Sequence, residues 1–173
     1  MKILLSSALI ILGLCGILKA QEHTGDSWVN YSSEDGRFSA SFPQAPTDSV
    51  QTTNSDSGPY TTHLFISKST KSLFLIGWVD YDPNFKFNPQ MELDANRDNF
   101  IKGTTARLTN SRNLTLDGYQ SLEFTAETDS SVYRSRVFIV GRRPYQLVVK
   151  TDKDKDDSAS VERFFSSFKV RLR

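Results

Sequence analysis

Three groups of residues have the types and spacing to do chemistry. Asp152-Lys153-Asp154-Lys155-Asp156 repeats the D-x-D-x-D order of a calcium loop, in which alternate side chains aim oxygen at one cation. The pattern stops there. Its sixth position needs glycine for a sharp turn and holds Asp157; its twelfth needs a bidentate glutamate and holds Arg163. Lys153 and Lys155 add repulsive charge. The stretch reads as a solvated loop whose Asp156 and Asp157 lie near a helix N-terminus, where negative charge is favoured. No metal is expected.

The second group is Asp80, Asp82 and His63. Two carboxylates two positions apart on one strand face could divide acid and base roles. An activated nucleophile is missing, however: there is no Gly-x-Ser-x-Gly, and the only cysteine is Cys15, near the N-terminus. The histidines, His23 and His63, are too far apart in the chain to make a zinc site. A hydrolase built on these residues is therefore the weakest alternative. No catalytic residue is assigned and no cofactor is expected.

The third group is cationic and aromatic. Arg134 and Arg136 share one strand face, and Arg142-Arg143 follow in the next turn. Together they could form a patch for an anion or a protein partner, or be ordinary edge charge that discourages aggregation. Trp78 and Tyr81 could line a pocket where a sheet meets the first helix, although a tryptophan in an apolar strand is commonly core. The candidate ligand- or partner-binding set is Trp78, Asp80, Tyr81, Arg134, Arg136, Arg142 and Arg143.

These residues must be positioned by strands. Trp28 to Tyr31 reads as a short strand, Asp35-Gly36 as a turn, and Arg37 to Phe42 alternates with Phe38, Ala40 and Phe42 inward. Asp48 to Gly58 reads as an exposed strand or loop. Tyr60 to Ser67 is a strand with His63 and Leu64 on opposite faces. Leu73 to Tyr81 is apolar on both faces and so should be central and covered twice. Asn88-Pro89 starts a helix that runs to Gly103, with Met91, Leu93, Phe100 and Ile101 as a thin apolar face. Ala106 to Leu116 and Tyr119 to Glu127 flank the hairpin turn Asp117-Gly118. Val132 to Val140 and Tyr145 to Lys150 flank a second, Gly141 to Pro144. Ser158 caps a last helix with Val161, Phe164, Phe165 and Phe168 in one stripe. Lys169 to Leu172 closes as a short strand. The fold class expected is α+β, an antiparallel twisted sheet with helices packed on it.

Met1-Lys2, the apolar run Ile3 to Leu18 and Leu18-Lys19-Ala20 have the parts of a secretory signal peptide. The run is short of the ~20 apolar residues of a membrane span. Leu14 before Cys15 argues against lipidation, and Ala20 offers the small residue that cleavage needs. Residues 1–20 are read as the leader, 21–27 as a flexible arm and 28–173 as one domain. Loss of Lys2 and Lys19 takes the net charge from +1 to −1. A nearly neutral, thiol-free product has no global field for nucleic acid and must be held by its core alone. A monomer, without stable membrane insertion after cleavage, is the expected state.

The string from Trp28 to Pro43, WVNYSSEDGRFSASFP, resembles the opening of exported bacterial domains of the PsbP-like superfamily, which includes DcrB-type and LpqN-type envelope proteins. Asp117-Gly118-Tyr119, Tyr145-Gln146-Leu147 and Phe164-Phe165-Ser166-Ser167-Phe168 resemble the same pattern. The resemblance implies a PsbP-like sandwich and a periplasmic or secreted location. Its residues are structural, and a fold does not specify a function. Nothing in the chain matches the cofactor-related sites of the photosynthetic branch. The expected function is a non-catalytic binding or assembly module of the envelope with a protein partner there. A small-ligand carrier with a groove between helix and sheet is the alternative.

Overall fold

Leu73 to Tyr81 has few polar side chains, and the chain folds so that both of its faces are covered. A computed structural model describes residues 28–56 and 58–171; the expected leader and arm, with Cys15 and His23, lie outside the described residues. Ten strands and two helices follow in the order β1 (Val29–Ser33), β2 (Phe38–Phe42), β3 (Thr47–Thr53), β4 (Tyr60–Lys68), β5 (Ser72–Tyr81), α1 (Pro89–Thr104), β6 (Arg107–Leu116), β7 (Tyr119–Glu127), β8 (Ser131–Val140), β9 (Arg143–Asp152), α2 (Ser158–Ser167) and β10 (Lys169–Val170). The large sheet has the order β3-β4-β5-β9-β8-β7-β6, and a small one has the order β1-β2-β10. Every described pairing is antiparallel. This is the α+β class expected.

The small sheet and α2 cover one face of the large sheet. Phe38 and Phe42 of β2, Phe164 and Phe165 of α2, and Phe74, Ile76 and Trp78 of β5 share one core with Tyr145, Leu147 and Val149 of β9. Val161, Phe164 and Phe165 of the α2 stripe are buried as expected, whereas Phe168 lies just past the helix in extended backbone and is buried beside them; the three phenylalanines contribute about 5–8 kcal/mol before conformational entropy is counted. On the opposite face α1 places Leu93 and Phe100 over Leu75, Phe124, Val137 and Val148. Successive side chains of a strand point to opposite faces, which is why β5 feeds both cores. No helix among the described residues is long and apolar enough to cross a membrane.

Local signals explain most boundaries. Asn88 accepts a hydrogen bond from the Met91 amide at 3.0 Å, and Pro89 opens α1 behind it. At the other end the helix runs one residue past Gly103, to Thr104, and Thr105 closes it in the left-handed region at φ 51°. Asp117 and Gly118 both take positive φ, 51° and 81°, as a two-residue primed turn requires.

Several expectations are corrected. Met91 is 41% exposed, and the buried side of α1 carries Glu92 and Asn96 beside Leu93 and Phe100. Ser158 does not cap α2: Asp157 occupies that place, and Asp156 Oδ1 accepts from the Ser158 amide at 3.0 Å and its hydroxyl at 2.8 Å. The second hairpin turn is tighter than Gly141 to Pro144, because Val140 already pairs with Arg143. Pro144 is thus inside β9. Pairing with β5 ends at Tyr145, so the proline sits near a strand start where it is tolerated.

Candidate functional site

Asp80 is the hub of the polar side chains at one end of the large sheet. It sits next to last in β5, opposite Thr61 of β4. His63 of β4 lies opposite Trp78 of β5, which lies opposite Tyr145 of β9. This register, with Arg143 two residues before Tyr145, brings Asp80, His63, Trp78, Arg143 and Tyr145 to one face. Arg143 Nε donates to Asp80 Oδ1 at 2.7 Å, and its Nη2 lies 2.6 Å from the same oxygen. Trp78 Nε1 donates to Asp80 Oδ2 at 3.3 Å, and His63 Nε2 lies 3.3 Å from that oxygen. The imidazole stacks on the indole with centroids 4.3 Å apart and planes within 5°. The Arg143 guanidinium also lies over the indole, 5.7 Å from the Trp78 ring centre.

The cluster also holds the turn between β1 and β2. Arg143 Nη1 donates to the Asp35 carbonyl at 2.7 Å, and Tyr145 Oη donates to the Gly36 carbonyl at 2.9 Å. Gly36 is required there for space: a Cβ would come within 2.8 Å of the Phe38 ring and of Ser33 Oγ. Burial pushes the Tyr145 phenol above its ordinary range, against the pull of the adjacent Arg143 charge. The cluster is a clasp between two sheets.

The structure separates other candidates. Trp78 is 1% exposed and faces α2 and the small sheet, whereas Tyr81 faces α1. They do not line a common groove under the first helix, because odd and even positions of β5 diverge. Tyr81 Oη instead donates to Glu92 Oε2 at 2.6 Å and stacks on Phe85 at 4.3 Å. Glu92 is 1% exposed; burial raises its carboxyl above the ordinary 4.5, and the Tyr81 hydrogen bond pulls it partly back. Asp80 and Asp82 are not a strand-face pair either. β5 ends at Tyr81, and Asp82 Oδ1 accepts from the Asn84 amide at 2.8 Å in the following turn.

The four arginines do not converge. Arg134 is opposite Val149 of β9, whereas Arg143 is six residues along that strand, about 20 Å away. Arg134 lines a depression of about 430 Å³ with the 151–158 segment. Arg136 donates to Glu123 at 2.6 Å and covers Phe165 at 4.6 Å. Glu123 also accepts from Arg112 at 2.6 Å. Burial alone would raise the Glu123 carboxyl, but the two guanidiniums hold it below its ordinary range. Arg142 donates to the carbonyls of Asp82 at 3.2 Å and Phe85 at 2.7 Å, on the α1 side, so neighbouring arginines hold different loops. In the D-x-D-x-D stretch Asp152 pairs with Lys155 at 3.1 Å and Asp156 serves Ser158. Among the described residues no three His, Cys, Asp or Glu side chains are grouped to hold a metal ion.

Sequence reading passed over Glu92 and Tyr145. The signal for Glu92 was the thin apolar face of α1: Glu92 and Asn96 are spaced to fall beside Leu93 and Phe100, so polar groups had to be buried with them. Tyr145 had no local signal, since its partner carbonyl is 109 residues away.

No family model matches the chain, and no curated protein matches it significantly. Among solved structures it is similar to cyanobacterial PsbP (CyanoP) from Synechocystis, at 16% identity and a TM-score of 0.48, over 92% of this chain and 98% of that one. It is also similar to a Bacteroides thetaiotaomicron protein at 15% identity and a TM-score of 0.41, covering 83% of this chain and 48% of that one.

Proposed function

We propose that the chain is an exported, PsbP-like, non-catalytic binding or assembly module of the bacterial envelope. One observation carries the non-catalytic part. In the cluster with the most chemistry-capable groups, the donors and acceptors are turned on the protein itself. Asp80 accepts from Trp78 and Arg143, with His63 alongside, and Arg143 donates to Asp80, Asp35 and Tyr145. A catalytic base or anion-binding arginine needs a free direction toward substrate. Here Asp80 fixes Arg143 within the large sheet, and Arg143 and Tyr145 tie the β1–β2 turn to it. Export rests on the leader-like residues 1–20.

Cross-linking in the native envelope, followed by mass spectrometry of the captured adducts, tests the reading. It predicts a mature chain beginning at Gln21 and one reproducible partner, captured equally by the wild type and by Asp80→Asn. An uncleaved chain, or repeated captures without a reproducible partner, would contradict it.

A further inference from the structure

The large sheet ends in two edge strands that are finished differently. β6 is interrupted by a bulge between Leu108 and Asn110 and carries Arg107 and Arg112, features that discourage pairing with another strand. β3 has neither device. It is seven residues in unbroken register with β4, exposed at every position but the partly buried Thr53, and its single charge is Asp48. At its midpoint is Val50, 59% exposed, more than any other large apolar side chain described.

Val50 is also the open end of a row. Across the sheet Val50 lies opposite His63, His63 opposite Trp78, Trp78 opposite Tyr145, and Tyr145 opposite Phe138. Trp78, Tyr145 and Phe138 are buried, and the row then reaches solvent at an aliphatic side chain with no strand beyond it among the described residues.

We infer that β3 pairs antiparallel with β3 of a second copy of this chain, about a two-fold axis at Val50. The sequence of the strand, Thr-Asp-Ser-Val-Gln-Thr-Thr, suits that register. Val50 meets Val50, Ser49 meets Gln51, Asp48 meets Thr52 and Thr47 meets Thr53. The two Asp48 carboxylates then lie about 13 Å apart along the strands, farther than the ~8 Å screening length of physiological salt. A twofold contact must be self-complementary, and this strand satisfies that with apolar on apolar at the centre and hydrogen-bonding side chains outward. On β6 a two-fold axis placed at Arg112, next to the strand's midpoint, would instead set two arginine side chains against each other. The ladder is small against the ~1,600 Å² of a standard interface, so the dimer is a weak one, with a Kd of about 10–500 µM. This departs from the monomer expected of the sequence and stands independently of the envelope reading.

Sedimentation equilibrium of the purified protein over about 5–500 µM tests it. The wild type should show a rising dimer fraction. Val50→Glu and Val50→Lys should each weaken association at least about tenfold, through like charges facing across the axis, and an equimolar mixture of the two should recover it. Leu108→Glu on β6 should change nothing. Amide exchange of Asp48 to Thr52 should slow with concentration, which a folding defect would not produce. A wild type that stays monomeric throughout, charge variants that dimerise as the wild type does, or concentration-dependent protection on β6 instead of β3 would each overturn the inference.

Discussion

The two faces of the large sheet solve the same burial problem with different chemistry. Under the small sheet and α2 the contacts are aromatic and dry: Phe38, Phe42, Phe74, Trp78 and Phe164 are at most 1% exposed, and charges are kept to the rim in the Asp80–Arg143 clasp. Under α1 a carboxyl is taken inside, where Glu92 is held by Tyr81. The first face draws its stability from apolar area, which is insensitive to pH. The second couples part of its stability to one proton. The contrast separates a face built to hold a second layer from one that stores a titratable group.

The largest expected effect lies on the aromatic face. Phe164→Ala removes a ring packed on Phe42, Phe74 and Phe165 and should cost about 3–5 kcal/mol in urea unfolding. On the other face Leu93→Ala, equally buried, should cost about 2–4 kcal/mol, because a smaller side chain leaves a smaller cavity. A larger loss at Leu93 than at Phe164 would reverse the ranking of the faces. Asp80→Asn should cost about 1–2 kcal/mol: Arg143 loses its charged partner but keeps the Asp35 carbonyl, and both side chains are partly solvated. Tyr145→Phe should cost about 1 kcal/mol by leaving the Gly36 carbonyl without its donor.

Glu92→Gln gives the smallest change at acid pH and a distinctive sign. A carboxyl whose folded value lies above its unfolded 4.5 contributes stability below that value and loses it as pH rises through the folded value. Glutamine keeps an acceptor for Tyr81 and cannot ionise. The variant should match the wild type near pH 3 and exceed it in melting temperature at pH 8. An equal difference at both pH values would show that ionisation of Glu92 is not what distinguishes the α1 face.

Local pattern carried much of this architecture. The uninterrupted apolar run of β5, the Asp117-Gly118 turn and the α2 stripe are short-range signals, and each element appears where they place it, with only Phe168 of the stripe falling past the helix end. The candidate site was less legible because its geometry is set by pairing between distant strands. Trp78 and Tyr81 look adjacent in sequence, yet strand alternation sends them to opposite cores. Arg143 reaches Asp80 because β9 pairs with β5 across 63 residues, a register that neither strand announces alone. The tight turn at Gly141 hid this further, since Arg143 reads as loop until Val140 is seen opposite it.

The account rests most on the claim that Asp80, Arg143 and Tyr145 act as a clasp on the β1–β2 turn. Amide hydrogen exchange of Gly36 and Arg37 in the Asp80→Asn, Tyr145→Phe double variant addresses it directly. The account predicts exchange at these amides faster by about tenfold or more, with α1 amides unchanged. Unaltered exchange at Gly36 and Arg37 would contradict it and free these side chains for another role.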